Sequence, residues 1–168
     1  MRARILLPAA AAFVVAGCGS SSAGPALFSP NASLGGTTLS GAALNTDDLH
    51  GHPVVVVFWA AWCTPCHAEQ PRLNVAYAHW TPKGVHFVGV DMLDDSAAAK
   101  GFEQQFDVPY PSVFDNHAAV AASFLISAAP AIAFIDSHGR VTDRVLGGLE
   151  IMSDAELDQE LTRLTTAT

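Results

Sequence analysis

The feature that most constrains this chain is the junction between an unbroken apolar run and two closely spaced cysteines, "HPVVVVFWAAWCTPCHAEQ". Four valines followed by Phe58 and Trp59 place β-branched and aromatic side chains alternately on both faces of an extended segment. That is the pattern of a strand buried on both sides at the centre of a parallel or mixed sheet. From Thr64 the period changes. Leu73, Ala76, Tyr77 and Trp80 recur at spacings of three and four, which predicts a helix, with Pro71 inside it predicting a kink and Gly84 stopping it. Cys63 and Cys66 therefore stand where a central strand hands over to a helix, at the carboxyl edge where α/β folds place their sites.

The rest of the chain supports such a sheet. "SLGGTTLSGAAL" reads as a hairpin with Gly35 and Gly36 as its turn, and Asp47 and Asp48 open a short helical turn ended by Gly51. A second buried strand covers residues 85–91, "DSAAAKGFEQQF" reads as a helix, "PSVFD" as a short strand and "HAAVAASFLI" as a helix. Residues 131–136 and "VTDRVLGG" are further strands, and Ser153 with Glu156 forms a capping box that opens a last helix. The order β-α-β-α-β-α-β-β-α predicts one α/β domain over residues 34–168, with a sheet covered on both faces.

The N-terminus reads differently. Arg2 and Arg4 precede the apolar run "ILLPAAAAFVVA", which is too short to span a bilayer and fits an export leader over residues 1–17. "VAGC" ending at Cys18 resembles a bacterial lipoprotein signal. The resemblance implies lipid on Cys18, a membrane-surface anchor, an extracytoplasmic location and a flexible Ser/Gly tether over residues 18–33. The chain carries 8 Lys+Arg against 16 Asp+Glu, and losing the leader removes two of the bases. Such an acidic surface argues against nucleic acid as a partner and against electrostatic adhesion to anionic lipid.

With Cys18 set aside, the 3 cysteines reduce to the Cys63/Cys66 pair. Two intervening residues close too small a loop for much stabilisation, so a disulfide here suits switching better than stapling. A cysteine at a helix N-terminus faces unpaired N–H groups that favour its thiolate, the nucleophile of disulfide exchange. Cys63 is accordingly the expected attacker and Cys66 the resolving thiol, with Pro65 tolerated in the first turn. The letters also fit the C-x-x-C-H pattern of covalent haem attachment, with His67 as ligand and Met92 or Met152 as a distal partner. A zinc site would need His50 and His52, which the sheet should place at its opposite end.

The stretch "VVFWAAWCTPCHAEQPRL" resembles the thioredoxin superfamily, nearest to its membrane-anchored extracytoplasmic TlpA/ResA/CcmG-like branch, over roughly residues 30–166. The motifs that carry it are F-W-A-x-W-C-x-P-C, E-x-P at residues 69–71 and "SAAPAIAFID". The resemblance implies a thioredoxin-like fold with an additional central strand and helix, and a cis peptide bond at Pro130 packed against the dithiol. It also implies that Ala129 offers backbone to a partner peptide, beside the motif residues Trp62, Thr64 and Pro65. Thioredoxin's buried aspartate in the strand before the motif is replaced here by Val57, so Glu69 becomes the candidate for proton handling. Asp94 and His67 also occupy positions where the branch carries charged groups. The implied activity is reduction of disulfides in exported proteins, such as apocytochrome c, fed by a membrane thiol-redox partner and needing no cofactor beyond the dithiol. Donation of disulfides to exported proteins stays open as the opposite direction, and haem or copper binding as a non-enzymatic reading.

Overall fold

Val54–Trp59 forms the central strand β3, and every one of its residues is buried. Its alternating side chains feed two cores. Val55, Val57 and Trp59 join one cluster with Leu73, Ala76 and Trp80; Val54, Val56 and Phe58 join another with Ala121, Phe124 and Ile126. The computed structural model describes Ala32 and residues 34–166. The expected leader, Cys18 and nearly all of the expected tether lie outside the described residues.

Gly36–Thr37 (β1) and Ala43–Leu44 (β2) pair as a small antiparallel hairpin. The remaining strands are β4 (His86–Met92), β5 (Ser112–Asp115), β6 (Ala131–Ile135) and β7 (Val141–Leu146). With β3 they make a mixed sheet in the order β5-β4-β3-β6-β7. β3, β4 and β5 run parallel, while β6 and β7 are antiparallel additions. The helices are α1 (Thr64–Trp80), α2 (Ser96–Phe106), α3 (Ala119–Ser123) and α4 (Asp154–Thr166). Residues of α1, α2 and α4 pack on one face of the sheet and those of α3 on the other. β4 and β5, joined through α2, add the central βα unit expected from the resemblance. The fold is thioredoxin-like.

The local signals act as the sequence suggests at most positions. Asp95 caps α2 by accepting from the Ala97 and Ala98 N–H groups. Ser153 and Glu156 form the reciprocal bonds of a capping box. α1 runs unbroken through Pro71. Two readings are corrected. The hairpin turns not at Gly35 and Gly36 but around Gly41, which holds a φ of 89° while Gly36 sits in the strand. The Thr38 hydroxyl donates to the Ala42 carbonyl and closes that turn, so side-chain chemistry places it at residues 38–42, beyond the glycine pair. The Ala-rich helix expected from "HAAVAASFLI" is confined to α3. Asp115 accepts from Ala119 and Ala121 to start it, and Leu125 at a φ of 57° stops it.

Two glycines separate packing from propensity. A Cβ at Gly89 would meet Ser112 Oγ at 2.4 Å and Trp59 Nε1 at 2.7 Å, whereas a Cβ at Gly101 in α2 meets nothing. Gly89→Ala should therefore lower stability by about 1–3 kcal/mol through overpacking. Gly101→Ala should raise it by about 1 kcal/mol through helix propensity. Thermal denaturation of the two variants beside the parent checks both signs.

Candidate active site

The end of β3 and the start of α1 are joined by residues 60–63. Three bonds fix that short path. The Ala61 N–H donates to the Asp94 carboxylate, the His67 ring nitrogen Nε2 donates to the Ala61 carbonyl at 2.7 Å, and the Trp62 indole donates to the Leu93 carbonyl at 3.0 Å. The Cys63 N–H then turns back onto the Ala60 carbonyl at 3.1 Å. His67 is therefore neither a free surface base nor an open ligand: its ring also packs edge-on against Phe102 and Phe106.

Cys63 is the N-cap residue of α1, and its Sγ accepts the Cys66 N–H at 3.2 Å. An orphan amide of the helix thus points at the sulfur that would carry negative charge in the reduced protein. The two cysteines are joined as a disulfide with their Cα atoms 5.3 Å apart. Cys63 is 3% and Cys66 1% exposed, so the disulfide is almost wholly covered, next to a Trp62 that is 55% exposed. Pro65 sits in the first turn of α1, where no N–H is needed.

The Ala129–Pro130 bond is cis. Pro130 is buried, and Ala129 packs against the cluster that holds both cysteines. The Pro130 carbonyl accepts from the Gly147 N–H at 2.9 Å, which ties this loop to the turn after β7. Two glycines there, with φ of 103° and 55°, let the chain pass against α1 so closely that a Cβ at Gly148 would lie 2.4 Å from Glu69 Oε2. The Leu149 N–H donates to the same oxygen at 2.7 Å. Arg72, one turn on from Glu69, donates to the carbonyls of Leu149 at 2.6 Å and Met152 at 3.0 Å, and pairs with Asp154 at 2.7 Å.

Glu69 is buried, and among the described residues its second oxygen has no hydrogen-bond partner. Burial outweighs the Leu149 bond and the Arg72 charge, and pushes Glu69 up from 4.5 to about 7. Thr64, Pro65, Ala68, Glu69, Arg72 and Leu149 help line a cavity of about 240 Å³ that opens beside the dithiol. The arrangement can hold a nucleophilic sulfur at a helix end, a second thiol one turn in, and a carboxyl able to exchange a proton near neutral pH.

The expected site residues Cys63, Cys66, Trp62, Thr64, Pro65 and Glu69 thus share one short path of chain, and Pro130 and Ala129 join them through the sheet. His50 and His52 lie at the other end, where His52 meets His86 at the start of β4 with ring centres 4.8 Å apart. Sequence reasoning missed Arg72, Gly147, Gly148 and Asp91. The Gly-Gly pair after β7 was a readable signal for a close approach. Asp91 was hidden as the final letter of a strand.

A family model described as Redoxin matches residues 23–161. The thiol-disulfide oxidoreductase ResA of Bacillus cereus is 31% identical over 111 residues, which make up 66% of this chain and 64% of that protein, so the chain spans less than two thirds of the relative's length. Among solved structures, MTB dsbF in its mixed oxidized and reduced forms is 35% identical with a TM-score of 0.71, over 79% of this chain and 95% of that one. A secreted Mycobacterium tuberculosis disulfide oxidoreductase homologous to E. coli DsbE is 30% identical with a TM-score of 0.70, over 79% and 97% of the two chains.

The raised Glu69 carboxyl has a consequence for stability. The folded protein holds this proton more tightly than the unfolded chain does, so its contribution is fully present below about pH 4.5 and is lost as pH rises through about 7. Glu69→Gln keeps an oxygen for Leu149 and cannot ionise. The variant should escape a loss of up to about 3 kcal/mol that the parent suffers across that window. Urea denaturation of both proteins at the two ends of the window measures the difference.

Proposed function

The chain belongs to the redoxin family, and from that membership and the geometry around Cys63 we propose that it is an extracytoplasmic thiol–disulfide oxidoreductase that reduces disulfides in exported proteins. The observation that carries the reading is the Cys66 N–H directed at Cys63 Sγ at the first turn of α1. The Cys63 thiolate attacks a client disulfide, forming a mixed disulfide and expelling one client sulfur as a thiolate that takes up a proton. Cys66, giving up its own proton, then attacks Cys63 Sγ. The internal disulfide closes and the second client thiol leaves, so two electrons pass from the dithiol to the client. We assign the acceptance of the Cys66 proton to Glu69, which follows Cys66 by one turn of α1, lines the cavity beside the dithiol and has a carboxyl raised by burial to about 7.

Ala129 and Pro130 with Trp62, Thr64 and Pro65 form the groove in which the client backbone lies. No metal or organic cofactor is required, because the sulfur pair is the redox centre. Apocytochrome c is the client class that the resemblance favours, a membrane thiol-redox partner returns the dithiol to its reduced form, and lipid on Cys18 holds the domain at the cell envelope. Covalent haem attachment would need both sulfurs as thioethers and the His67 Nε2 turned to iron. Here the sulfurs bond each other and Nε2 holds the Ala61 carbonyl.

The reduction potential of the Cys63–Cys66 pair tests the direction. A value below about −220 mV supports the reductant, and a value near about −120 mV makes the protein a disulfide donor instead. In a parallel test, Cys66→Ser should accumulate mixed disulfides through Cys63. Accumulation in Cys63→Ser instead would reverse the roles of attacker and resolver.

A further inference from the structure

Asp91 is the penultimate residue of β4 and is paired in register with Trp59 of β3. It is 0% exposed, and neither carboxyl oxygen meets an N–H or O–H donor among the described residues. A buried carboxylate without a donor is among the costliest arrangements in a protein. The acidic group that shares a side-chain hydrogen bond with it is itself an acceptor, the carboxyl of Asp94 in the loop after β4. Two carboxylates cannot hydrogen-bond each other, so this contact requires a proton between them.

Both oxygens of Asp94 are already committed. One of its oxygens accepts the Ala61 N–H and the other accepts the Asp95 N–H at 2.8 Å. Asp94 therefore cannot turn to relieve a clash with Asp91 without releasing Ala61. Ala61 belongs to the path that leads straight into Trp62 and Cys63. Resting on the oxidoreductase reading of that dithiol, we propose that Asp91 is a positioning residue for Cys63: as the protonated carboxyl it donates to Asp94, and so keeps Asp94 on Ala61 and the Cys63 loop in place.

The electrostatics agree with the geometry. Burial first, then the Asp94 charge and the shared bond, with smaller contributions from Glu103 on α2 and Asp115 on β5, push Asp91 up to about 8. Glu103 is itself raised by burial and is countered by Lys100. The groups facing Asp91 are thus acids from the following loop, the covering helix and the neighbouring strand. Below about pH 8 the proton stays and the contact holds; above it two like charges face each other and the hold on Ala61 is lost.

Asp91→Asn is the deciding variant, because its amide donates to Asp94 at every pH. The Ala61 amide proton resonance is followed by NMR from about pH 6 to about pH 10 in the oxidised protein, where neither cysteine titrates. His67, bonded to the Ala61 carbonyl, and Glu69 are present in both proteins, so their effects on Ala61 cancel in the comparison. The parent should show an inflection near pH 8 that Asp91→Asn lacks. Alkylation of Cys63 in the reduced proteins should show a matching inflection that is likewise lost in the variant. A flat Ala61 resonance, or the same inflection in both proteins, overturns the proposal. An Ala61 inflection with no counterpart in Cys63 alkylation overturns the positioning role. Should the parent form no reversible disulfide, the oxidoreductase reading fails on its own, and the Ala61 titration still decides whether Asp91 holds the loop.

Discussion

Phe58 and Trp59 lie on opposite faces of β3, and on that division the placement of the dithiol depends. Phe58 meets Phe124 edge-on at 5.4 Å on one side, and Trp59 stacks on Phe102 at 4.4 Å on the other. The four valines before them are interchangeable and would tolerate a slip of one residue. The two aromatics would not, because a slip sends each ring into a core shaped for the other. Their rings fix the phase of the strand. The chain then needs only residues 60–62 to reach Cys63, so the phase of the strand becomes the phase of the helix.

Around that fixed point the fold brings carboxyl groups in from the sides. Val57 leaves β3 without an acid of its own. Glu69 arrives from α1 and Asp91 from β4, each buried and each raised by desolvation. The two lie in different surroundings. Glu69 faces the cavity beside the dithiol, with one oxygen held by Leu149 and Arg72 near by. Asp91 is fully buried in register with Trp59, and in the proposal above it acts on the site through Asp94 and the Ala61 amide. On the roles proposed above, one moves a proton and the other keeps one.

Much of this was legible in the amino acids, for physical reasons that differ from place to place. The valine run could only be a doubly buried strand, and the cysteines after it could only sit near the first turn of the helix that the 3.6-residue period announced. Ser153 and Glu156 carry their cap in four letters. The Gly35 and Gly36 reading failed because a glycine pair marks freedom without saying where it is used; Thr38 and Gly41 supplied the turn. The short α3 was unreadable because Asp115 and Leu125, outside the alanine stretch, set its limits. Arg72 and Asp91 stayed hidden for a further reason. Their meaning lies in contacts between elements, Arg72 with Leu149 at a separation of 77 residues and, for Asp91, the bond of Asp94 to Ala61 at a separation of 33, and a single line of sequence does not display them.

The walls of the dithiol come from late in the chain. Pro130 and the turn at Gly147 and Gly148 close over residues that precede them by a long interval, 80 positions between Glu69 and Leu149. A chain that emerges N-terminus first therefore presents both cysteines before anything exists to cover them. During that interval the pair behaves as an open peptide dithiol, free to react with whatever thiols and disulfides surround it. Only arrival of the final third of the chain turns general thiol reactivity into a shaped site.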